Sequence, residues 1–156
     1  MSFSMTTEAY RDYWKDVTRR LGWSFLKVGD VFMGVEQAQG LKKGEHVVRL
    51  HPSRVVAEFW QPLEAIESYP NEGRDECARE AFPGMTGREF VDMFTAANRC
   101  RRDEPVHRIE FEHECPECEG SGIGRFPERY VCQRCGGTGW VKGRAITETC
   151  EEAMQE

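Results

Sequence analysis

A small α+β domain built on a curved sheet or barrel, with flanking helices and a C-terminal four-cysteine zinc ribbon, is the fold class that the sequence predicts. Three observations point there. Short β-branched and aromatic runs stand between a few helical patterns, with no regular βαβ repeat. Thr86 and Glu89 form a capping-box pair ahead of one apolar face, Phe90, Met93, Phe94 and Ala97. Two Cys-x2-Cys units, Cys115 with Cys118 and Cys132 with Cys135, are each followed by glycines in matching places.

Thr6 or Thr7 caps a first helix through Val17, because Tyr10, Tyr13, Trp14 and Val17 recur at three- and four-residue intervals. Leu21 to Leu26 and Val31 to Val35 read as two strands joined by a turn at Gly29-Asp30. Val47 to Leu50 and Arg54 to Trp60 read as two more, with Pro52 and Pro62 bounding the second, since proline offers no ladder donor. A polar loop over 67–74 leads to a short helix from Asp75 to Ala81, which Phe82-Pro83-Gly84 terminates. Val106 to Glu112 is a strand feeding the cysteine-rich segment, whose two knuckles are joined by a hairpin over 126–131. The domain expectation is 1–113 for the first unit, 114–145 for the ribbon and 146–156 for a flexible tail.

Each Cys-x2-Cys unit turns two thiolates toward one ion, and two units complete a tetrahedral shell for one structural zinc. Cys115, Cys118, Cys132 and Cys135 are the expected ligands, with Gly120, Gly122, Gly137 and Gly139 allowing tight turns behind them. His113 is surplus to that shell. Seven cysteines are an odd number, which disfavours a fully paired disulfide framework. Cys77 and Cys100 read as core or helix-face thiols and Cys150 as a spectator in a polar tail. A redox reading of the pairs requires a helix starting at the first cysteine, and the glycines argue against one.

No apolar run spans a membrane and no basic-then-apolar leader opens the 156 residues, so a soluble, cytoplasmic protein is the expectation. The net charge of −6 is unevenly spread. Residues 11–60 hold nine basic and six acidic side chains, whereas 61–120 hold seven and fifteen. Non-specific wrapping of DNA is thereby disfavoured, and any nucleic-acid surface belongs to the N-terminal half.

The densest polar cluster is Lys15-Asp16-Val17-Thr18-Arg19-Arg20. On a helix, Lys15 and Thr18 project to one side and can act on one ligand, the amine polarising an oxygen and the hydroxyl attacking or donating. From spacing alone a solvated helix end is the simpler reading. Lys42-Lys43-Gly44 is a second basic step, suited to a nucleic-acid backbone or to an ordinary soluble turn. Among the carboxylates Glu36 and Glu80 are candidate acids or bases. His46, His51, His107 and His113 are scattered, and no Ser-His-Asp or Cys-His arrangement is legible.

Taken in order, these segments resemble a known family. The run from Lys15 to Trp23, then Phe25-Leu26-Lys27-Val28-Gly29-Asp30, is similar to the opening of ASCH domains, whose fold is PUA-like. Gly40 to Glu45, Pro62 to Ile66, Phe82-Pro83-Gly84-Met85-Thr86 and Arg108-Ile109-Glu110-Phe111 continue the likeness across residues 10–113, closest to proteins of phages and prophages. The cysteine segment resembles the Cys-x2-Cys-x-Gly-x-Gly repeats of DnaJ-type chaperones, but no J-domain pattern precedes it and chaperone activity is not carried over.

The resemblance implies a small β-barrel whose cleft binds RNA, nucleic acid or a modified nucleobase. For that binding the matching residues are Trp14, Lys15, Arg19, Arg20, Lys42 and Lys43. Some members are amidohydrolases that remove an acyl group from the exocyclic nitrogen of N4-acylated cytidine with a lysine, a threonine three residues on and a glutamate. Lys15, Thr18 and Glu80 fall on those places. Trp14 stands where the family has glycine, which narrows the pocket or supplies a stacking surface. Arg125, Arg129 and Arg134 add phosphate contacts if the ribbon extends the surface. A third reading is an adaptor whose acidic middle section or finger faces a protein partner. Phage origin implies the host cytoplasm.

Overall fold

The computed structural model describes residues 1–124 and 131–143. The chain runs α1 (Thr7–Arg11), β1 (Val17–Arg20), β2 (Val31–Val35), β3 (Arg49–Pro62), α2 (Arg74–Arg79), α3 (Gly87–Asn98), β4 (Pro105–Glu114) and β5 (Trp140–Val141), with 3-10 turns at Leu63–Ser68 and Pro70–Gly73. It is α+β: one curled antiparallel sheet ordered β1-β4-β3-β2, with β5 added to the far end of β4. β4 is the spine. One edge pairs with β3 from Ser53 opposite His113 to Pro62 opposite Pro105. The other edge pairs first with β1, Val17 opposite Glu110 through Arg20 opposite His107, and then with β5, Val141 opposite His113. Register shifts between Val55 and Ala57, and between Met33 and Val35, bend the strands that carry them.

Two apolar clusters fill the fold. Phe3, Tyr10, Leu26, Phe32, Val55, Ile109 and Phe111 pack on one side of the sheet. Leu63, Ile66, Cys77, Phe90, Val91 and Val106 pack beneath α2 and α3. Thr86 caps α3 as expected: the Glu89 N–H donates to Thr86 Oγ1 at 3.2 Å and the Thr86 N–H donates to Glu89 Oε2 at 2.7 Å. Cys77 is buried in the second cluster and Cys100 half-buried beside it.

Three local expectations are corrected. The first helix stops at Arg11, not Val17, because Tyr13 turns to φ 67° and lays its ring on His51, centroids 4.5 Å apart and 2° from parallel. Residues 17–20 are then free to join the sheet. Leu21 to Leu26 is a turn rather than a strand, broken where Gly22 takes φ 70°; Leu26 still reaches the core. The two strands expected over 47–60 are one, β3, with Pro52 inside it. Pro52 faces Met33 of β2 and lies one residue beyond the start of the β4 ladder, so its missing donor breaks no bond to β4. Residues 126–130 of the hairpin expected over 126–131, Arg125, Arg129, Cys150 and the tail from 146 lie outside the described residues. Among the described residues no helix is long and apolar enough to cross a membrane.

Gly34 shows how tightly the first cluster is built. A Cβ there would sit 2.2 Å from Tyr10 Cε1. Tyr10 cannot move aside, since its hydroxyl donates to His51 O at 2.9 Å and is hydrogen-bonded to Ser53 Oγ at 2.6 Å. Gly34→Ala is therefore expected to destabilise by about 1–3 kcal/mol through overpacking, read as a lower urea midpoint at unchanged slope.

Candidate functional site

Lys15 leads into β1, Thr18 lies within it, and Glu80 ends α2; all three reach the same cavity of about 360 Å³. The spacing of Lys15 and Thr18 thus works from an extended segment and not from a helix. Thr18 and Arg20 project to one face because side chains alternate along a strand. Phe82, Phe90, Met93 and Phe94 supply an apolar wall opposite them. Trp14 is half-buried and is not among the lining residues. Lys42 and Lys43 are outside that lining too, in the loop between β2 and β3, where the Lys42 N–H donates to Glu45 at 2.8 Å.

Lys15 is 2% exposed. Its Nζ donates to the Glu80 carbonyl oxygen at 2.6 Å and to Glu80 Oε2 at 2.9 Å. Two of the three positions around the nitrogen are therefore taken, and the third holds a proton in the ammonium or a lone pair in the amine. Burial pushes the Lys15 ammonium below its ordinary value, and the Glu80 carboxylate draws it back up. The Thr18 hydroxyl, 3% exposed as a residue, has no hydrogen-bond partner among the described residues.

A ladder of ion pairs backs this face. Arg19 spans Glu80 Oε1 at 3.0 Å and Glu76 Oε1 at 2.9 Å. Arg108 reaches Glu76 at 2.5 Å, and Arg79 joins Asp16 at 2.9 Å to Glu110 at 2.7 Å. Turned with its oxygen inward, the Gln61 amide accepts from Arg19 Nε and Nη2 at 3.1 Å each. Although burial works to raise it, Arg108 and Arg19 hold the Glu76 carboxyl below the usual range. Arg19 is thus spent inside the protein, and a phosphate contact from it would have to break these pairs. Arg20 is different. Its guanidinium lies over Phe3 and Trp23, 5.2 and 5.7 Å from the ring centroids, and its Nε is buried with no partner.

The acidic excess of residues 61–120 was the sequence signal for this ladder, but it names no partner: Glu76 and Arg108 escaped the sequence reading. So did the second buried cluster, in which His113 Nε2 lies 2.7 Å from the Lys15 carbonyl oxygen and His113 Nδ1 lies 2.7 Å from His51 Nε2. Burial lowers His113 to about 3 and His51 to about 4, leaving both neutral near neutral pH. Glu36 is a surface partner of Arg11, and His107 is held by Glu58 at 2.5 Å.

The four cysteine sulfurs lie within 4.8 Å of one another, close enough to hold a metal ion. Cys115 and Cys132 Sγ are 3.8 Å apart, Cys118 and Cys135 Sγ 3.7 Å. These separations exceed a disulfide's and match the edge of about 3.8 Å that metal–sulfur bonds of about 2.3 Å give a tetrahedron. The Gly122 and Gly139 N–H groups donate to Cys118 and Cys135 Sγ at 3.3 Å each. The glycines are required by close approach as well: a Cβ on Gly122 would lie 2.2 Å from Gly137 O, and one on Gly139 2.2 Å from Gly120 O. Burial opposes ionisation of Cys135, yet the Gly139 N–H and neighbouring thiols bring it down to about 6, whereas burial keeps Cys115 up at about 11. No helix follows either pair, which removes the redox geometry. Both His113 nitrogens are engaged elsewhere, so among the described residues the candidate ligands are the four sulfurs.

A wider, open groove of about 780 Å³ runs beside the knuckles; of its two cations, Arg134 and Lys142, Arg134 already faces Glu117 at 3.5 Å. The smaller cavity is where Lys15, Thr18 and Glu80 come together. No family model, curated protein or solved structure matches this chain.

Proposed function

We propose that the chain is an ASCH-like amidohydrolase of PUA-like fold, binding a modified nucleobase in the cavity and cleaving an acyl group from its exocyclic nitrogen. The convergence of Lys15, Thr18 and Glu80 on one cavity carries the reading. Its volume, about 360 Å³, suits a nucleobase-sized ligand and is too small to take in a nucleic-acid duplex. The flat base rests against Phe82, Phe90, Met93 and Phe94.

In the first step Thr18 Oγ1 attacks the amide carbon and passes its proton to the neutral Lys15 amine. The tetrahedral adduct collapses, the exocyclic amine leaves with that proton, and water hydrolyses the acyl-threonine ester. Glu80 orients the lysine from two sides and tunes its affinity for the proton. Hydrolysis then climbs with pH as Lys15 sheds its proton and levels off below 10.5, the ordinary lysine value.

The test is turnover of N4-acetylcytidine and related N4-acylated cytidines by the full chain. Thr18→Val and Lys15→Met are each expected to lower kcat about a thousandfold or more with KM little changed. Turnover unaffected by both rejects the mechanism. Binding of an RNA pool that weakens steeply with salt, without turnover, makes the chain a reader of nucleic acid instead. For the four cysteines we assign one structural zinc, which supplies cross-linking and no chemistry of the cavity.

A further inference from the structure

We infer that His113 is a positioning residue through which the metal knuckle sets the backbone of Lys15. The inference rests on the proposed role of Lys15, though not on the identity of the substrate. β4 runs without a break from Pro105 to Glu114 and into the ligand Cys115. His113, fully buried, stands two residues before that ligand. Its Nε2 is 2.7 Å from the Lys15 carbonyl, which can only accept, so Nε2 carries the hydrogen and Nδ1 the lone pair. His51 Nε2, 2.7 Å from Nδ1, must then be the donor. With one proton on each ring, these contacts fix both tautomers and make one chain, His51 to His113 to the Lys15 carbonyl.

The same segment is gripped by the knuckle. The Cys115 N–H donates to Gly139 O at 2.8 Å, and β5 pairs Val141 with His113. A Cβ on Gly143 would lie 2.7 Å from Asp16 Cβ and 3.4 Å from Tyr13 O, so the chain leaving β5 lies against residues 13–16. Arg134, beside the ligand Cys135, lies over the Tyr13 ring at 6.0 Å. Tyr13 is stacked on His51 and meets His113 edge-on at 5.0 Å. Lys15 is thus wedged between β4 and a knuckle whose own packing consists of the four cysteines and Val141. Losing the ion frees β5 and the Gly139 contact, loosens His113, and lets the Lys15 carbonyl move relative to Glu80. A ligand contact far along the chain from the cavity thereby holds a group in the cavity.

Hydrogen exchange on the full chain tests this without any substrate. The Lys15 and Asp16 amides are hydrogen-bonded, to Ala9 O at 3.2 Å and Arg79 O at 3.3 Å, so their exchange reports the wedge. Removing the metal with a chelator is expected to speed exchange of these amides by about tenfold while amides of β2 and the middle of β3 change less than about twofold. His113→Phe should produce the same acceleration with the metal bound and metal content unchanged, and should lower kcat rather than raise KM. His113→Gln, whose amide can still donate to the Lys15 carbonyl, should restore protection in part. Unchanged exchange at Lys15 and Asp16 in the stripped protein and in His113→Phe overturns the inference. So does an even loss of protection over the whole sheet, which would make the ion a general brace. Coupled exchange without turnover of any acylated nucleoside rejects the proposed chemistry and upholds this link.

Discussion

Glu80→Ala is expected to cost about 3–5 kcal/mol of stability, because it strands two buried cations at once. Lys15 and Arg19 side chains are 3% and 0% exposed, and Glu80 faces both with a different carboxylate oxygen. Glu76, the other acidic partner of Arg19, is already shared with Arg108, and Lys15 pairs with no second carboxylate among the described residues. A surface pair would change stability by under about 1 kcal/mol, so the magnitude distinguishes the two cases. Urea unfolding of the purified chain reads it directly. Glu80→Gln keeps the shape and an acceptor but removes the charge, and should fall between the wild type and alanine. The Lys15→Met, Glu80→Gln pair should recover part of the loss, since the buried ammonium that needs a counter-ion is removed together with the carboxylate. A cost for Glu80→Ala below about 1 kcal/mol would show that water reaches this face.

The parts of this protein that depend on neighbours in sequence were legible, and those that depend on distant neighbours were not. Ligand spacing and positive-φ glycines are local requirements, so the two knuckles stood out in the sequence, down to the glycines that pack against each other's carbonyls. The Thr86–Glu89 box is equally local. By contrast, the regular recurrence of Tyr10, Tyr13 and Val17 suits a helix, and nothing nearby says that Tyr13 will leave it to stack on His51, far along the chain. Lys15 and Thr18, three residues apart, meet the cavity from an extended chain as readily as from a helix. Their partner Glu80 lies 65 positions from Lys15; the residues alone offer it beside Glu36 as a candidate acid or base, and only the likeness to ASCH domains groups it with Lys15 and Thr18. Arg19 and Arg20 look alike in sequence, yet one is locked into Glu76 and Glu80 while the other lies over Phe3 and Trp23, a difference that only the fold creates.

Metal removal is expected to unfold the knuckles while leaving the two apolar clusters standing. Among the described residues the third buried cluster contains Cys115, Cys118 and Cys132, with Cys135 and Val141 packed against it. Apolar burial of that size is worth only about 2–3 kcal/mol, below the ordering cost of more than ten residues at about 1–2 kcal/mol each. Structural zinc sites contribute about 10–16 kcal/mol of apparent binding free energy at neutral pH, enough to reverse the balance. Elemental mass spectrometry should find one zinc per chain, and Cys118→Ser should weaken its binding about a hundredfold or more. Because thiols must shed protons to bind, affinity falls as pH falls, and acid should release the ion before it melts the sheet. Chelation should then abolish amide protection over 115–123 and 132–141 while the far-ultraviolet circular dichroism of the sheet and α3 persists. Loss of both signals together would mean that the first two clusters cannot stand without the third. Full retention of knuckle protection would mean that contacts with the sheet, through β5 and the Arg54 guanidinium 5.0 Å from the Trp140 ring centroid, hold it without the ion.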